Sequence, residues 1–140
     1  MAKEVGAVQN QPTEWSLKSG KSYPDPFNQV ELDVLLTHSS GEEWRLPAYW
    51  SGNNEWRVRF APPRRGTYSF RTVCSDEENR DLNGLEGRLK AKAYRGRNPL
   101  LKHGFIEVMK DQRHFQHADG TPFFWLGDTW WMGLCSRGER

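Results

Sequence analysis

From Trp15 onward the chain alternates apolar and polar positions in short runs, each ended by turn-forming residues. Trp15 and Leu17 alternate with Glu14, Ser16 and Lys18. Val30, Leu32, Val34 and Leu36 make a strict period-two stripe that Ser39-Ser40-Gly41 breaks. Trp44, Leu46, Ala48 and Trp50 read as one further strand, with Pro47 confining it to a sheet edge or a bulge. Ser51-Gly52-Asn53-Asn54 reads as a hairpin turn into Trp56, Val58 and Phe60, whose opposite face carries Arg57 and Arg59. After the Pro62–Gly66 loop, Tyr68, Phe70, Thr72 and Cys74 alternate. Residues 75–87 are polar and read as a loop, and Leu89, Ala91 and Ala93 close the series.

A repeat of two puts successive side chains on opposite faces of a sheet. About six such strands with no helical period predict a mainly β fold, an immunoglobulin-like antiparallel β-sandwich of two sheets. Gly66-Thr67-Tyr68-Ser69-Phe70 has the form of a tyrosine corner, with Phe70 where such domains place a cysteine. No cysteine lies in residues 29–38, so the usual inter-sheet disulfide is absent. Residues 1–12 are small, polar and unpatterned and read as a flexible N-terminus, which gives the sandwich residues 13–95.

The texture changes at Arg95-Gly96-Arg97-Asn98-Pro99. Residues 96–140 read as a linker, a short strand over Phe105–Met109, and a hairpin turning at Ala118-Asp119-Gly120-Thr121. Phe123-Phe124-Trp125-Leu126 is a continuous apolar run of the kind a strand buried on both faces shows. Gly127 to Leu134 then looks like a strand end entering a helix, with Asp128 or Thr129 at the N-cap. Nine of the fourteen residues 122–135 are large and apolar or Cys, more than a soluble monomer exposes. The expectation is a chain that forms the front part of a longer protein.

The aliphatic content is low for a globule, but 7 Trp, 7 Phe and 4 Tyr supply a core built from rings. Lys plus Arg is 20 against 18 Asp plus Glu, a net charge of +2, which argues against a nucleic-acid binder. No apolar run is long enough to span a membrane, and residues 1–12 have no apolar signal-peptide core, so compartment stays open. Cys74 and Cys135 form no CxxC or Cys/His cluster, which argues against a structural zinc; whether they pair is not given by their spacing. No nucleotide, cofactor or Ser-nucleophile motif occurs, and no metal or cofactor is expected.

The string from His117 to Trp131, HADGTPFFWLGDTWW, resembles the opening strand of the (β/α)8 barrel in apiosidase-like glycoside hydrolases. Asp25 to Val34, Trp56 to Phe70 and Asn98 to Val108 resemble the immunoglobulin-like domain that precedes such barrels. The resemblance implies an accessory sandwich followed by the truncated start of a barrel, in a parent enzyme acting on plant or bacterial polysaccharide. It implies carbohydrate and the chain's own C-terminal barrel as partners, and relatives often exported in bacteria. The family's acid/base and nucleophile carboxylates sit at later strand ends that this chain does not contain, so the chain alone is expected to be inactive.

Candidate chemistry is therefore substrate contact and not catalysis. Asp128 falls at the carboxyl end of the barrel-like strand, where barrel enzymes build their sites. It reads as a sugar-hydroxyl acceptor beside the rings of Trp130 and Trp131, or as a helix N-cap beside core tryptophans. Tyr49, Trp50 and Trp56 flank the Ser51–Asn54 turn and read as a sugar platform or as packing; the first would make the domain an independent carbohydrate-binding module. A protein-interaction sandwich is the third reading. Glycosidases need two carboxyl groups about 5–5.5 Å or 6.5–9.5 Å apart. The adjacent acids Glu42-Glu43 and Asp76-Glu77-Glu78 fall in polar turns and read as solvated. His114, His117 and Asp119 read as polar residues flanking a turn.

Overall fold

The computed structural model describes residues 3–129. The chain divides into two compact units, Met1–Lys102 and His103–Arg140.

The first unit holds β1 (Lys3–Val8), β2 (Thr13–Lys18), the single-turn α1 (Pro26–Gln29), β3 (Leu32–His38), β4 (Glu43–Pro47), β5 (Tyr49–Gly52), β6 (Glu55–Phe60), β7 (Gly66–Cys74), β8 (Glu86–Lys92) and the single-turn α2 (Pro99–Lys102). A five-stranded sheet runs β1-β8-β7-β3-β4 and a three-stranded sheet runs β2-β6-β5. Every pairing is antiparallel except β1 with β8. The two sheets form a mainly β sandwich, as the alternation predicts.

Each apolar stripe faces the same core. Trp15, Leu17, Trp56, Val58 and Phe60 come from the smaller sheet; Leu32, Val34, Leu36, Tyr68, Phe70 and Leu89 come from the larger. Rings bridge the layers: Trp15 lies 5.6 Å from Phe70, Trp44 5.8 Å from Phe60, and Phe60 5.5 Å from Tyr68. Each such pair adds about 0.5–1.5 kcal/mol to the burial of its area. This is how a chain poor in aliphatics fills its interior.

The first unit departs from three of the sequence expectations. Residues 3–8 are not a loose terminus but β1, an edge strand that buries Val5 and Ala7. Its pairing partner β8 lies far along the sequence, and Gly87 of β8 makes the approach sterically feasible. A Cβ at Gly87 would stand 2.4 Å from the Lys3 carbonyl oxygen and 2.3 Å from the Phe70 ring. Second, the Trp44–Trp50 alternation is two strands in two sheets. Pro47 ends β4 at the edge of the larger sheet, Ala48 donates to the Leu32 carbonyl (2.7 Å), and the chain continues as β5 in the smaller sheet.

The third correction concerns residues 75–85, an ordered plug and not a solvated loop. Leu82 is fully buried and Asn79 nearly so. Asn79 Nδ2 donates to Ser19 Oγ (2.9 Å) and Tyr23 Oη (2.7 Å), while Asp76 accepts from Tyr23 Oη (2.7 Å) and from Lys21 Nζ. Polar side chains here cap the end of the core by bonding one another, so hydropathy alone reads them as solvent-facing. Cys74 is buried, which pushes its thiol pKa up; Cys135 lies outside the described residues.

The second unit is a three-stranded antiparallel meander of β9 (Ile106–Val108), β10 (Phe115–His117) and β11 (Pro122–Phe123). The β10–β11 turn is the one the sequence predicts, with Gly120 at φ +86°. The expected strand buried on both faces is not found among the described residues. Only Pro122–Phe123 pairs, and Phe124, Trp125 and Leu126 are 83%, 65% and 85% exposed. No described helix is long and apolar enough to cross a membrane.

Candidate functional site

Asp128 follows the apolar run by two residues and is exposed. Its Oδ1 accepts from the Thr129 amide (2.7 Å), and Oδ2 has no partner among the described residues. Trp130 and Trp131, expected beside it, lie outside the described residues. The exposed rings that precede Asp128 touch one another: Trp125 lies 5.7 Å from Phe115 and 6.2 Å from Phe123.

The hairpin below Asp128 is braced by polar contacts the sequence reading missed. His103 Nδ1 meets Asp119 Oδ2 at 2.7 Å and Thr121 Oγ1 at 3.2 Å. The bond from His103, then those from the Thr121 amide and hydroxyl, hold the Asp119 carboxyl well below the usual carboxylate range. His117 is buried, with Nδ1 on the Gly104 carbonyl (2.8 Å). It packs against His103 and Phe123, at 5.5 and 5.3 Å. His117 flanks the β10–β11 turn as expected, but its ring is buried within the meander and does not face solvent. His114 is exposed and pairs with Asp111 (2.7 Å), so the histidines do not converge. Among the described residues no group of three His, Cys, Asp or Glu side chains is placed to hold a metal.

The structure separates the proposed ring platform. Trp56 is 1% exposed in the core, packed against Tyr23 at 6.0 Å, so its ring cannot meet a ligand. That corrects its place as a substrate-binding candidate: the alternation that puts Arg57 outside puts Trp56 inside. Trp50 is half-exposed, pairs across the strand with Trp56, and donates Nε1–H to the Asn53 carbonyl (2.7 Å). Tyr49, its neighbour, turns to the opposite face. There Tyr49 Oη donates to Glu14 (2.6 Å), which also accepts from Arg57 (3.3 Å) and Arg59 (2.9 Å). The bond from Tyr49, then that from Arg59, lowers the Glu14 pKa. This network is a satisfied cross-strand surface on β2, β6 and β5. No local signal marked Glu14 as its hub, because its partners are 35 or more residues away.

Three of the acids considered for catalysis are likewise engaged. Glu42 is paired with Arg64 (2.8 Å), Glu43 reaches Thr37 Oγ1 (3.5 Å), and Asp76 is bound by Lys21 and Tyr23. The Lys21 ammonium, then the Tyr23 hydroxyl, lowers the Asp76 pKa, the opposite of what a general acid requires.

The model of DUF5060, a domain of unknown function, matches residues 8–75. The model of the apiosidase-like catalytic domain matches residues 109–140. A crystal structure described as a "putative glycoside hydrolase" from Bacteroides vulgatus ATCC 8482 superimposes with a TM-score of 0.66 at 24% identity, over 86% of this chain and 21% of that one. This chain thus spans about a fifth of that protein's length. A PapD-like domain of human CEP192 aligns at a TM-score of 0.31 and 12% identity, over 69% of this chain and 84% of that one, too low to carry an argument. No curated protein matches the chain. The glycoside hydrolase-like resemblance read from His117–Trp131 and from the sandwich segments is thus met by both family models and by the fold.

Proposed function

We propose that this chain is the accessory β-sandwich and the opening of the catalytic barrel of a glycoside hydrolase acting on plant or bacterial polysaccharide, and that it is not catalytic by itself. The observation that carries this reading is the order of the two family matches in one chain, DUF5060 over 8–75 and then the apiosidase-like catalytic domain from residue 109. In a (β/α)8 barrel the substrate meets the carboxyl ends of the strands. In this reading Asp128, exposed and two residues after Leu126, stands at the carboxyl end of the first barrel strand. In this reading Asp128 accepts a sugar hydroxyl, Trp130 and Trp131 supply ring contacts, and the exposed Phe124, Trp125 and Leu126 are covered by the rest of the barrel.

The independent binding-module reading has less support. It needs Tyr49, Trp50 and Trp56 to form one flat surface, and they are respectively tied to Glu14, turned the other way, and buried.

Kinetics of Asp128→Ala, made in protein extended through a complete barrel, test the substrate role. The expected result is a loss of about tenfold or more in kcat/KM, equivalent to about 1.4 kcal/mol of transition-state binding, with an unchanged melting temperature. Unaltered kinetics would remove Asp128 from the site.

A further inference from the structure

We infer that the sandwich carries a second site, a basic cleft at the β7–β8 end of the larger sheet that takes an acidic saccharide, one bearing carboxylate groups. The saccharide part of this inference rests on the glycoside-hydrolase reading; the anion part rests on the cleft alone. Its walls are the turn after β1, the start of β7 and the segment leaving β8. Arg65, Lys92 and Arg95 line it together with Gln11, Val8 and Tyr94.

Charge pairing divides the described cations. Lys18, Lys21, Arg45, Arg57, Arg59, Arg64 and Lys90 each reach an acid within 4 Å. Arg64 and Lys90 are immediate sequence neighbours of the cleft. Arg65, Lys92 and Arg95 are three of the eleven described Lys and Arg residues without such a partner, and they are the three that line this cleft. Three uncompensated cations around one concavity raise its potential and favour an anion.

The cleft is also built and not a loose surface. Asn10, at φ +62°, donates its amide to the Pro62 carbonyl (2.8 Å), and Gln9 Nε2 donates to the Pro63 carbonyl (3.0 Å), so the β1 turn is pinned to the β6–β7 loop. Gly66 stands at φ +137°, where a Cβ would lie 2.5 Å from His38 Nε2; that nitrogen in turn meets the Arg65 carbonyl (3.3 Å). The backbone presenting Arg65 is therefore fixed. Tyr94 folds back over Gly96, where a Cβ would meet the phenol oxygen at 2.1 Å, and Asn98 donates its amide to that oxygen (3.2 Å). A half-buried ring beside two guanidinium groups and an ammonium suits a sugar ring with a carboxylate.

Affinity electrophoresis of the full chain in gels containing alginate, a polyuronate, tests this. Strong retardation is expected in alginate and none in a neutral glucan. The triple variant Arg65→Gln, Lys92→Gln, Arg95→Gln should weaken retardation roughly tenfold or more, from the loss of three charge contacts. A control triple with the same charge change elsewhere, Arg80→Gln, Arg88→Gln, Lys110→Gln, should bind as the parent does. Equal loss in both triples, or no retardation of the parent, overturns the site. Equal retardation by polyglutamate or by duplex DNA overturns its saccharide specificity. Binding is read without turnover, so its failure leaves the accessory reading standing, and an absent hydrolysis leaves the cleft standing.

Discussion

Tyr68 Oη donates to the Arg64 carbonyl at 2.8 Å and accepts the Arg64 amide at 3.2 Å, closing the Pro62–Gly66 loop onto the first turn of β7. One phenol thereby satisfies two backbone groups while its ring lies fully buried between Phe60, Trp44 and His38. The same loop supplies Arg65 and Gly66 to the basic cleft, so this corner links the core to the surface proposed for binding.

Tyr68→Phe keeps the ring and strands both Arg64 groups. It should lower unfolding stability by about 1–3 kcal/mol, read from urea titration. The pH dependence has a definite sign. Burial raises the Tyr68 pKa, so the neutral phenol is favoured in the fold; its stabilisation is complete below pH about 10 and is lost as pH rises beyond that. The Phe variant should show a shallower alkaline loss, with the raised Tyr23 still contributing.

At the other end of the sandwich Asp76 behaves oppositely. The Lys21 ammonium, then the Tyr23 hydroxyl, lowers its pKa. A lowered native pKa contributes stability above the ordinary carboxylate value and loses it as pH falls through and below about 4. Asp76→Asn should therefore be less stable at neutral pH and show a flatter acid limb in urea midpoints. Glu14 and Glu55, both lowered, retain part of that limb.

Gly87→Ala should lower stability by about 1–3 kcal/mol through overpacking, because the new methyl meets the Lys3 carbonyl and the Phe70 ring. The strand to suffer is β1, so amide exchange should accelerate at Val5 and Ala7 more than in β3. Uniform protection across both strands would contradict the assignment of Gly87 as the seat of β1.

The sequence made β2, β3, β6, β7 and β8 legible because large side chains alternate within each strand, and a ring or branched residue on one face is a strong local signal. β1 was silent for the opposite reason. Val5 and Ala7 are small, Gly6 separates them, and the parallel pairing with β8 is set by residues some eighty positions away. The change of sheet at Pro47 was hidden because Trp44, Leu46, Ala48 and Trp50 keep phase across it. The hairpin at Ala118–Thr121 was readable from Asp119-Gly120, whereas the His103–Asp119 brace was not, since it joins residues distant in sequence. Among site candidates, Asp128 is exposed, and Trp56 takes the packing alternative because the alternation that sends Arg57 outward sends Trp56 to the core.

We propose that this chain supports sugar chemistry without performing it. The direct measurement is release of the aryl alcohol from a panel of aryl glycosides by the purified 140-residue chain. The predicted result is a rate equal to that of buffer at every substrate concentration. Saturable release that copurifies with the chain, and that falls when one of its own carboxylates is replaced, would contradict it.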